Sequence, residues 1–216
     1  MLNIEQDLFR FSTYIPQINL SFNQYLLKAN EPVLVHTGDM QQASALMPGL
    51  KEKLAGVPLK YIFISHFEGD ECGGLSLISD NFPESITICS EITARQLRGF
   101  GYKNEIITKK PGEKLSTSSY EFEFIGYPSE MHLWEGLVVV ESHRGIFFSS
   151  DLMIHYGDAI VLDSSWAAEI NNICWEQMPG HERFDQMQKT LTKFRPKLVA
   201  TGHGPVLRLR YAPALP

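Results

Sequence analysis

The chain has 216 residues, of which 44% are hydrophobic and 20% are charged, and these proportions exclude a disordered or fibrous protein. A net charge of -6 without a Lys/Arg cluster argues against a nucleic-acid partner. No run approaches the roughly 18 apolar residues of a membrane helix. The N-terminus also lacks the basic segment followed by an apolar segment that a secretory signal has, so we expect a cytoplasmic protein without a membrane partner.

The first half of the chain alternates short apolar runs with a helical stretch. Residues 33–35, 61–64 and 86–89 are typical of buried strands, and the first of them ends in a turn at 36–39. Ser90 is the predicted N-cap of a helix over 91–97, which Gly99 would end.

The second half is richer in strands, and it closes with a helix and one more strand. Strands are predicted at 105–108, 120–125, 137–141, 146–149 and 198–200. Apolar residues at helical spacing predict a helix over 181–194, which Pro196 would stop. With no repeat and no linker, residues 1–216 are expected to form one α/β (α+β) domain with two sheets.

Histidines and carboxylates follow several of these strands directly. Such positions are held rigidly and can converge on one rim of the sheets. The candidates are His66, Glu68, Asp70, His132, Asp151 and His203. Any one of them alone is more often a cap or a turn residue than a ligand. Together, three imidazoles and three carboxylates suit two metal ions that share a bridging carboxylate. The oxygen-rich set favours iron or manganese, whereas zinc prefers more nitrogen and sulfur.

Four segments carrying these residues resemble the flavodiiron proteins, relatives of the metallo-β-lactamase fold in which Glu replaces the second His of the hydrolase HxHxDH motif. Residues 65–74 (SHFEGDECGG) are similar to their HxExDHSG segment, 131–134 (MHLW) to HxW, 147–151 (FFSSD) to LFSND, and 201–208 (TGHGPVLR) to SHGxxxR. The order of the four segments is also that of the family, and the resemblance spans roughly residues 30 to 210.

The resemblance implies a metallo-β-lactamase αββα sandwich, with two mixed sheets flanked by helices, around two iron ions. It implies that His66, Glu68 and His132 bind one iron. Asp70 and His203 would bind the other, and Asp151 would bridge the two. Zinc or manganese are the alternative metals.

Glu71 departs from the family, which usually has His at this position. Three interpretations stay open for Glu71: a hard oxygen ligand, an acceptor that orients a ligating imidazole, or a solvated surface acid. A direct ligand would add negative charge and favour an oxidised metal pair.

Other residues lie near the predicted site in sequence. Cys72 replaces a Ser and is interpreted as a small filler, with a redox role as the alternative. His36 is predicted to be structural or to support a ligand. Trp134 and Tyr156 could wall an oxygen pocket or pack in the core, and His155 could reach the pocket mouth. The three cysteines, Cys72, Cys89 and Cys174, show no paired spacing, so we expect reduced thiols.

The same resemblance frames the expected function. Flavodiiron proteins carry a flavodoxin module whose FMN feeds the irons, and no FMN site is expected in this chain. We therefore expect a non-heme di-iron protein that binds or senses O2 or NO, or that reduces these gases with electrons from a separate redox partner. A sensor would also need a signalling partner. We further expect a homodimer. The alternative is a binuclear zinc or manganese hydrolase of an ester, amide or phosphodiester. A third hypothesis is a fold kept only for protein interactions.

Overall fold

The computed structural model describes residues 1–5, 7–129, 134–174 and 180–211, and their strands form two sheets. The strands of the first sheet follow chain order from one edge to the other. They are β1 (Leu2–Glu5), β2 (Leu8–Ile15), β3 (Leu20–Leu27), β4 (Val33–Val35), β5 (Tyr61–Phe63), β6 (Ile86–Cys89) and β7 (Ile106–Thr108). From β1 to β4 each strand pairs antiparallel with the next, and from β4 to β7 each strand pairs parallel with the next, so this sheet is mixed.

The second sheet has the order β12-β14-β13-β11-β10-β9-β8. Its strands are β8 (Lys114–Ser116), β9 (Glu121–Ser129), β10 (Trp134–Glu141), β11 (Ile146–Ser150), β12 (Val161–Ser164), β13 (Leu198–Thr201) and β14 (Val206–Leu209). The β11/β13 and β12/β14 pairs are parallel, and the other pairs are antiparallel.

Helices cover the outer face of each sheet. They are α1 (Met40–Leu54), α2 (Gly69–Cys72), α3 (Leu75–Asn81), α4 (Glu91–Gly99), α5 (Trp166–Asn172) and α6 (His181–Leu191). Helix α1 begins with a capping box, in which Asp39 accepts from the backbone N–H of Gln42 while the Gln42 side chain accepts from that of Asp39. Ser90 caps α4, as predicted.

The alternation of side chains along the strands explains the four layers. In β4 and β5, Val33, Val35 and Phe63 point into the core between the two sheets, whereas Leu34 and Ile62 pack beneath the helices of the first sheet. A third apolar cluster joins the second sheet to α5 and α6. The predicted αββα sandwich is therefore confirmed.

The predicted elements near the site are also confirmed, with small shifts at their ends. The last helix ends at Leu191 rather than at residue 194, because the chain turns at 192–193. Sequence patterns did not predict strands β1 to β3, β8, β12 and β14, nor helices α1, α2, α3 and α5. Among the described residues, no helix has both the length and the apolar character needed to cross a bilayer.

Candidate metal centre

The candidate site lies at one edge of the sandwich, where strands of both sheets end. His66 follows β5 in the first sheet, while Asp151 and His203 follow β11 and β13 in the second. Because β11 and β13 are parallel neighbours, their carboxyl ends reach the same edge. Backbone hydrogen bonds join the sheets there: Leu137 N–H donates to Ser65 O at 2.8 Å, Asn23 N–H donates to Gly202 O at 2.9 Å, and Gly204 N–H donates to Ser21 O at 3.1 Å.

Asp151 stands between two histidines from different sheets. Its Oδ2 lies 3.4 Å from His66 Nε2, and its Oδ1 lies 3.0 Å from His203 Nε2. On one side, Glu68 Oε2 lies 3.0 Å from His66 Nε2; on the other, Asp70 Oδ2 lies 3.4 Å from His203 Nε2. The structure thus brings these five predicted ligands together, in two halves that meet at Asp151.

Glu71 lies inside the same cluster. It is 1% exposed, and its Oε2 lies 3.8 Å from His66 Nε2. The interpretation of Glu71 as a solvated surface acid is therefore wrong. Within the part of the chain that the structure describes, two groups of three residues have ligand atoms within 4.8 Å of one another: His66, Glu71 and Asp151, and Asp70, Glu71 and His203.

Some buried polar atoms of the cluster make no hydrogen bond and could therefore bind a metal ion. Glu71 Oε2 and Asp151 Oδ1 are buried without a hydrogen-bond partner. The 3.0 Å approach of Asp151 Oδ1 to His203 Nε2 is thus a close contact that is not aligned as a hydrogen bond. Buried polar atoms are rarely left unpaired unless an ion or water completes them. Carboxylates and imidazoles are ligands that suit iron and manganese, so the residues present fit a pair of such ions.

Several carboxyl groups lie close together in the cluster, and their pKa values are shifted by burial and by one another. Burial raises the pKa of Glu71 well above its usual value, and the nearby carboxylates of Asp151 and Asp70 raise it further. Burial also raises the pKa of Asp70. For Asp151, burial acts to raise the pKa, but close contact with His203 and attraction to His66 lower it overall. Bound cations would favour the ionised form of each carboxylate.

Two predicted site residues cannot be placed against this cluster. His132 lies outside the described residues, which resume at residue 134. Trp134 begins β10, and its side chain also lies outside what the structure describes. Their predicted roles remain predictions.

A buried hydroxyl network holds the His66 ring. Ser65 Oγ lies 3.0 Å from His66 Nδ1, 2.9 Å from His36 Nε2 and 2.8 Å from Ser150 Oγ. Burial, together with repulsion by the nearby His66 ring, lowers the pKa of His36 to about 3, so its imidazole is neutral and Nε2 can accept or donate a hydrogen bond, depending on the tautomer. His36 thus contacts Ser65, which in turn contacts the candidate ligand His66, and its predicted supporting role remains a prediction.

Two hydrogen-bond assignments are consistent with these distances if Nε2 of His66 binds metal, and His66 Nδ1–H donates to Ser65 Oγ in both. In one, Ser150 Oγ–H also donates to Ser65 Oγ, and Ser65 Oγ–H donates to His36 Nε2; in the other, His36 Nε2–H donates to Ser65 Oγ, and Ser65 Oγ–H donates to Ser150 Oγ. This hydrogen bond from Nδ1 fixes the His66 tautomer in which Nε2 carries no proton and can bind a cation. Sequence reasoning missed Ser65 and Ser150, although each directly precedes a candidate ligand.

The turns that carry Asp151 and His203 have unusual backbone conformations. Ser150 has φ 49° and ψ -132°, a conformation that costs free energy in a residue with a side chain. Gly204 follows His203 with φ +90°, and a Cβ there would lie 2.0 Å from His155 O. The close approach of these two loops thus requires a glycine at position 204.

The remaining sequence candidates have distinct surroundings. Cys72 Sγ donates to Glu68 O at 3.1 Å, and burial raises the pKa of its thiol to about 12, which supports the small-filler interpretation over a redox role. His155 Nε2 lies 2.8 Å from Glu169 Oε2, a partner that no sequence pattern indicated. Tyr156 is 72% exposed, so the core-packing alternative is wrong for it.

Comparison with known proteins extends these observations. The model of a family described as ODP family beta lactamase matches residues 20–204. The chain is 22% identical over 201 residues to a putative diflavin flavoprotein A 2 from Nostoc sp., covering 88% of this chain and 34% of the relative. It is 24% identical over 142 residues to an anaerobic nitric oxide reductase flavorubredoxin from Vibrio vulnificus, covering 64% of this chain and 28% of the relative.

A solved structure supports the same fold. The metal-soaked Flv1 flavodiiron core from Synechocystis sp. PCC6803 superimposes with a TM-score of 0.76 and 20% identity, covering 93% of this chain and 54% of that chain. The architecture is therefore that of a flavodiiron metallo-β-lactamase core. The chain spans about a third of the length of the curated relatives it matches.

Proposed function

The chain belongs to the ODP family of beta-lactamase-fold proteins, and from this premise we propose that it is a non-heme di-iron protein that binds O2 or NO. Sensing is one role for such binding. Reduction of the gas is the other, and it requires electrons from a separate donor.

One observation carries the proposal. The two carboxylate oxygens of Asp151 face two different histidines, His66 at 3.4 Å and His203 at 3.0 Å. A carboxylate in this position could bind one cation through each of its oxygens, and the two cations would supply a site for a small gas. Glu68 on one side and Asp70 on the other add oxygen ligands, and this composition favours iron over zinc.

The residues around the cluster orient it and limit access of water. Iron ions bound there would supply redox-active centres with coordination positions for a small gas. Ser65 holds the His66 ring through Nδ1. The edge of the Phe22 ring packs against the His203 ring with centroids 4.7 Å apart, which shields that imidazole from water. His132 is proposed to complete the set on the His66 side.

The electron supply is also a proposal. The relative from Vibrio vulnificus is called a nitric oxide reductase flavorubredoxin, and this chain covers 28% of its length. We propose that a redox protein would deliver the electrons for any reduction at this cluster. A sensor would instead pass the bound state to a signalling partner, and a homodimer would be compatible with either role.

Metal analysis combined with a visible spectrum tests the proposal. The protein is purified without air, its metal content is measured, and it is then exposed to O2 or NO. We expect two irons per chain and a new absorption band on adding the gas. Asp151→Asn should lose iron, because Asp151 faces both halves of the cluster. The exposed Asp163→Asn serves as the matched control, since Asp163 pairs with Arg210 on the surface.

The opposite result is equally concrete. Two zinc ions per chain, no uptake of iron, and turnover of an ester or phosphodiester would refute the di-iron proposal and identify a hydrolase. Iron retention by Asp151→Asn equal to that of Asp163→Asn would refute the bridging role of Asp151.

A further inference from the structure

Glu71 is held in the cluster by its own backbone. Its carbonyl oxygen accepts from Thr37 N–H at 2.8 Å and from Thr37 Oγ1 at 3.1 Å. These bonds tie α2 to the loop after β4, so the Glu71 side chain, 1% exposed, is directed by rigid backbone rather than by a flexible loop.

The side chain belongs to both halves of the site. It shares one group of three ligand atoms with His66 and Asp151, and the other with Asp70 and His203. Its Oε2 is buried without a hydrogen-bond partner.

The same contacts argue against an orienting role for Glu71. An acceptor that orients an imidazole must accept a hydrogen bond from a ring N–H. His66 Nδ1 is already 3.0 Å from Ser65 Oγ, and His66 Nε2 is 3.8 Å from Glu71, too far for a hydrogen bond. The His66 ring is thus not oriented by this carboxylate.

We propose that Glu71 is a shared ligand to both metal ions, a second carboxylate bridge beside Asp151; this inference rests on the di-iron proposal above. Charge supports it. Glu68, Asp70, Glu71 and Asp151 carry four formal negative charges when ionised, and these equal the charge of two divalent cations. The Glu71 and Asp151 side chains are only 2% and 11% exposed, and burying two such neighbouring carboxylates without cations would be costly.

A shared ligand has a consequence that a ligand to one ion lacks. Removing it weakens both sites together, whereas removing a ligand that belongs to one half weakens one site first. Glu71 is part of both groups, while Asp70 is part of only one. Glu71→Gln and Asp70→Asn therefore make a discriminating pair, since each replaces a carboxylate by an amide of nearly the same size.

The experiment titrates the metal-free full chain with Mn²⁺ alone and follows the free ion by electron paramagnetic resonance. The native chain should bind two ions. Substituting residues that merely orient ligands costs about 10–100-fold in metal affinity, so Glu71→Gln should lose more than about 100-fold at both sites. Asp70→Asn should lose affinity at one site and keep the other close to native.

The thermal stability of the metal-free protein gives a second readout. Glu71→Gln should raise the melting temperature without metal, because a neutral amide replaces a buried carboxylate whose ligand atom lies within 4.8 Å of one on Asp70 and of one on Asp151. Glu141→Gln is the matched buried control. Glu141 is 0% exposed and accepts from the backbone N–H of His143 and Arg144, so its loss should lower the melting temperature and leave Mn²⁺ affinity unchanged.

Each outcome decides one claim. A native chain that takes up no pair of ions under any loading condition overturns the di-iron proposal itself. A native chain that binds two ions while Glu71→Gln binds both equally well, or loses only one, overturns the shared role of Glu71 alone. Should Glu71→Gln fail to fold, Glu71→Asp keeps the charge but shortens the reach; native affinity in that variant would also overturn the inference.

Discussion

Replacing Ser65 with alanine removes the hydroxyl at the centre of the buried network beneath the candidate site. That hydroxyl lies 2.9 Å from His36 Nε2, 3.0 Å from His66 Nδ1 and 2.8 Å from Ser150 Oγ, and Ser65 is 0% exposed. Alanine is smaller and apolar, so no new group replaces the lost contacts. The substitution therefore tests whether the network orients His66 or only packs around it.

The expected cost follows from these contacts. A typical hydrogen bond contributes about 1 kcal/mol net, and a buried polar group left unpaired costs about 1–3 kcal/mol. For a hydroxyl with three partners we expect a loss of about 3 kcal/mol in the free energy of unfolding. At this chain length that loss lowers the melting temperature by about 6–12 °C. Metal affinity should fall about 10–100-fold, since the His66 tautomer is no longer fixed.

Differential scanning calorimetry of the metal-free protein and a metal titration measure the two effects separately. Ser79→Ala is the control, because Ser79 is also buried and its hydroxyl lies 2.8 Å from Tyr102 Oη, with no contact to the metal cluster recorded among the described residues. The control should lose about 1 kcal/mol and keep native metal affinity. If folded Ser65→Ala binds metal as tightly as Ser79→Ala does, the orienting role of Ser65 is refuted.

Two further predictions concern the metal preference and the thiols. Glu68→His should shift metal content towards zinc, because it exchanges a hard oxygen for nitrogen; unchanged metal content, measured beside Glu68→Gln, would contradict the argument from ligand hardness. A thiol-alkylating reagent should label one cysteine per folded chain and all three after denaturation. Cys174 is exposed, whereas burial raises the thiol pKa of Cys72 and of Cys89 to about 12. Rapid labelling of Cys72 in the folded protein would therefore contradict its role as an inert filler.

Local sequence patterns predicted many of the strands and helices around the site. Short apolar runs predicted β4, β5, β6 and β11, because buried strands need apolar side chains on both faces. Ser90 before a helical run predicted the start of α4, because a hydroxyl can cap free backbone N–H groups. Residues placed directly after such strands could be named as candidate ligands because strand ends hold side chains rigidly. The N-terminal strands were missed.

The environment of each candidate was decided by the tertiary structure. The pattern around Glu71 left open a ligand, an orienting acceptor and a surface acid, and only the packing of α2 against the loop after β4 buries it between both halves of the cluster. Ser65 and Ser150 meet across 85 positions of sequence, and His155 finds Glu169 on a helix. Sequence by itself determined which residue types stand at the strand ends. Burial and partners depend on contacts between distant segments, which exist only once the two sheets have packed.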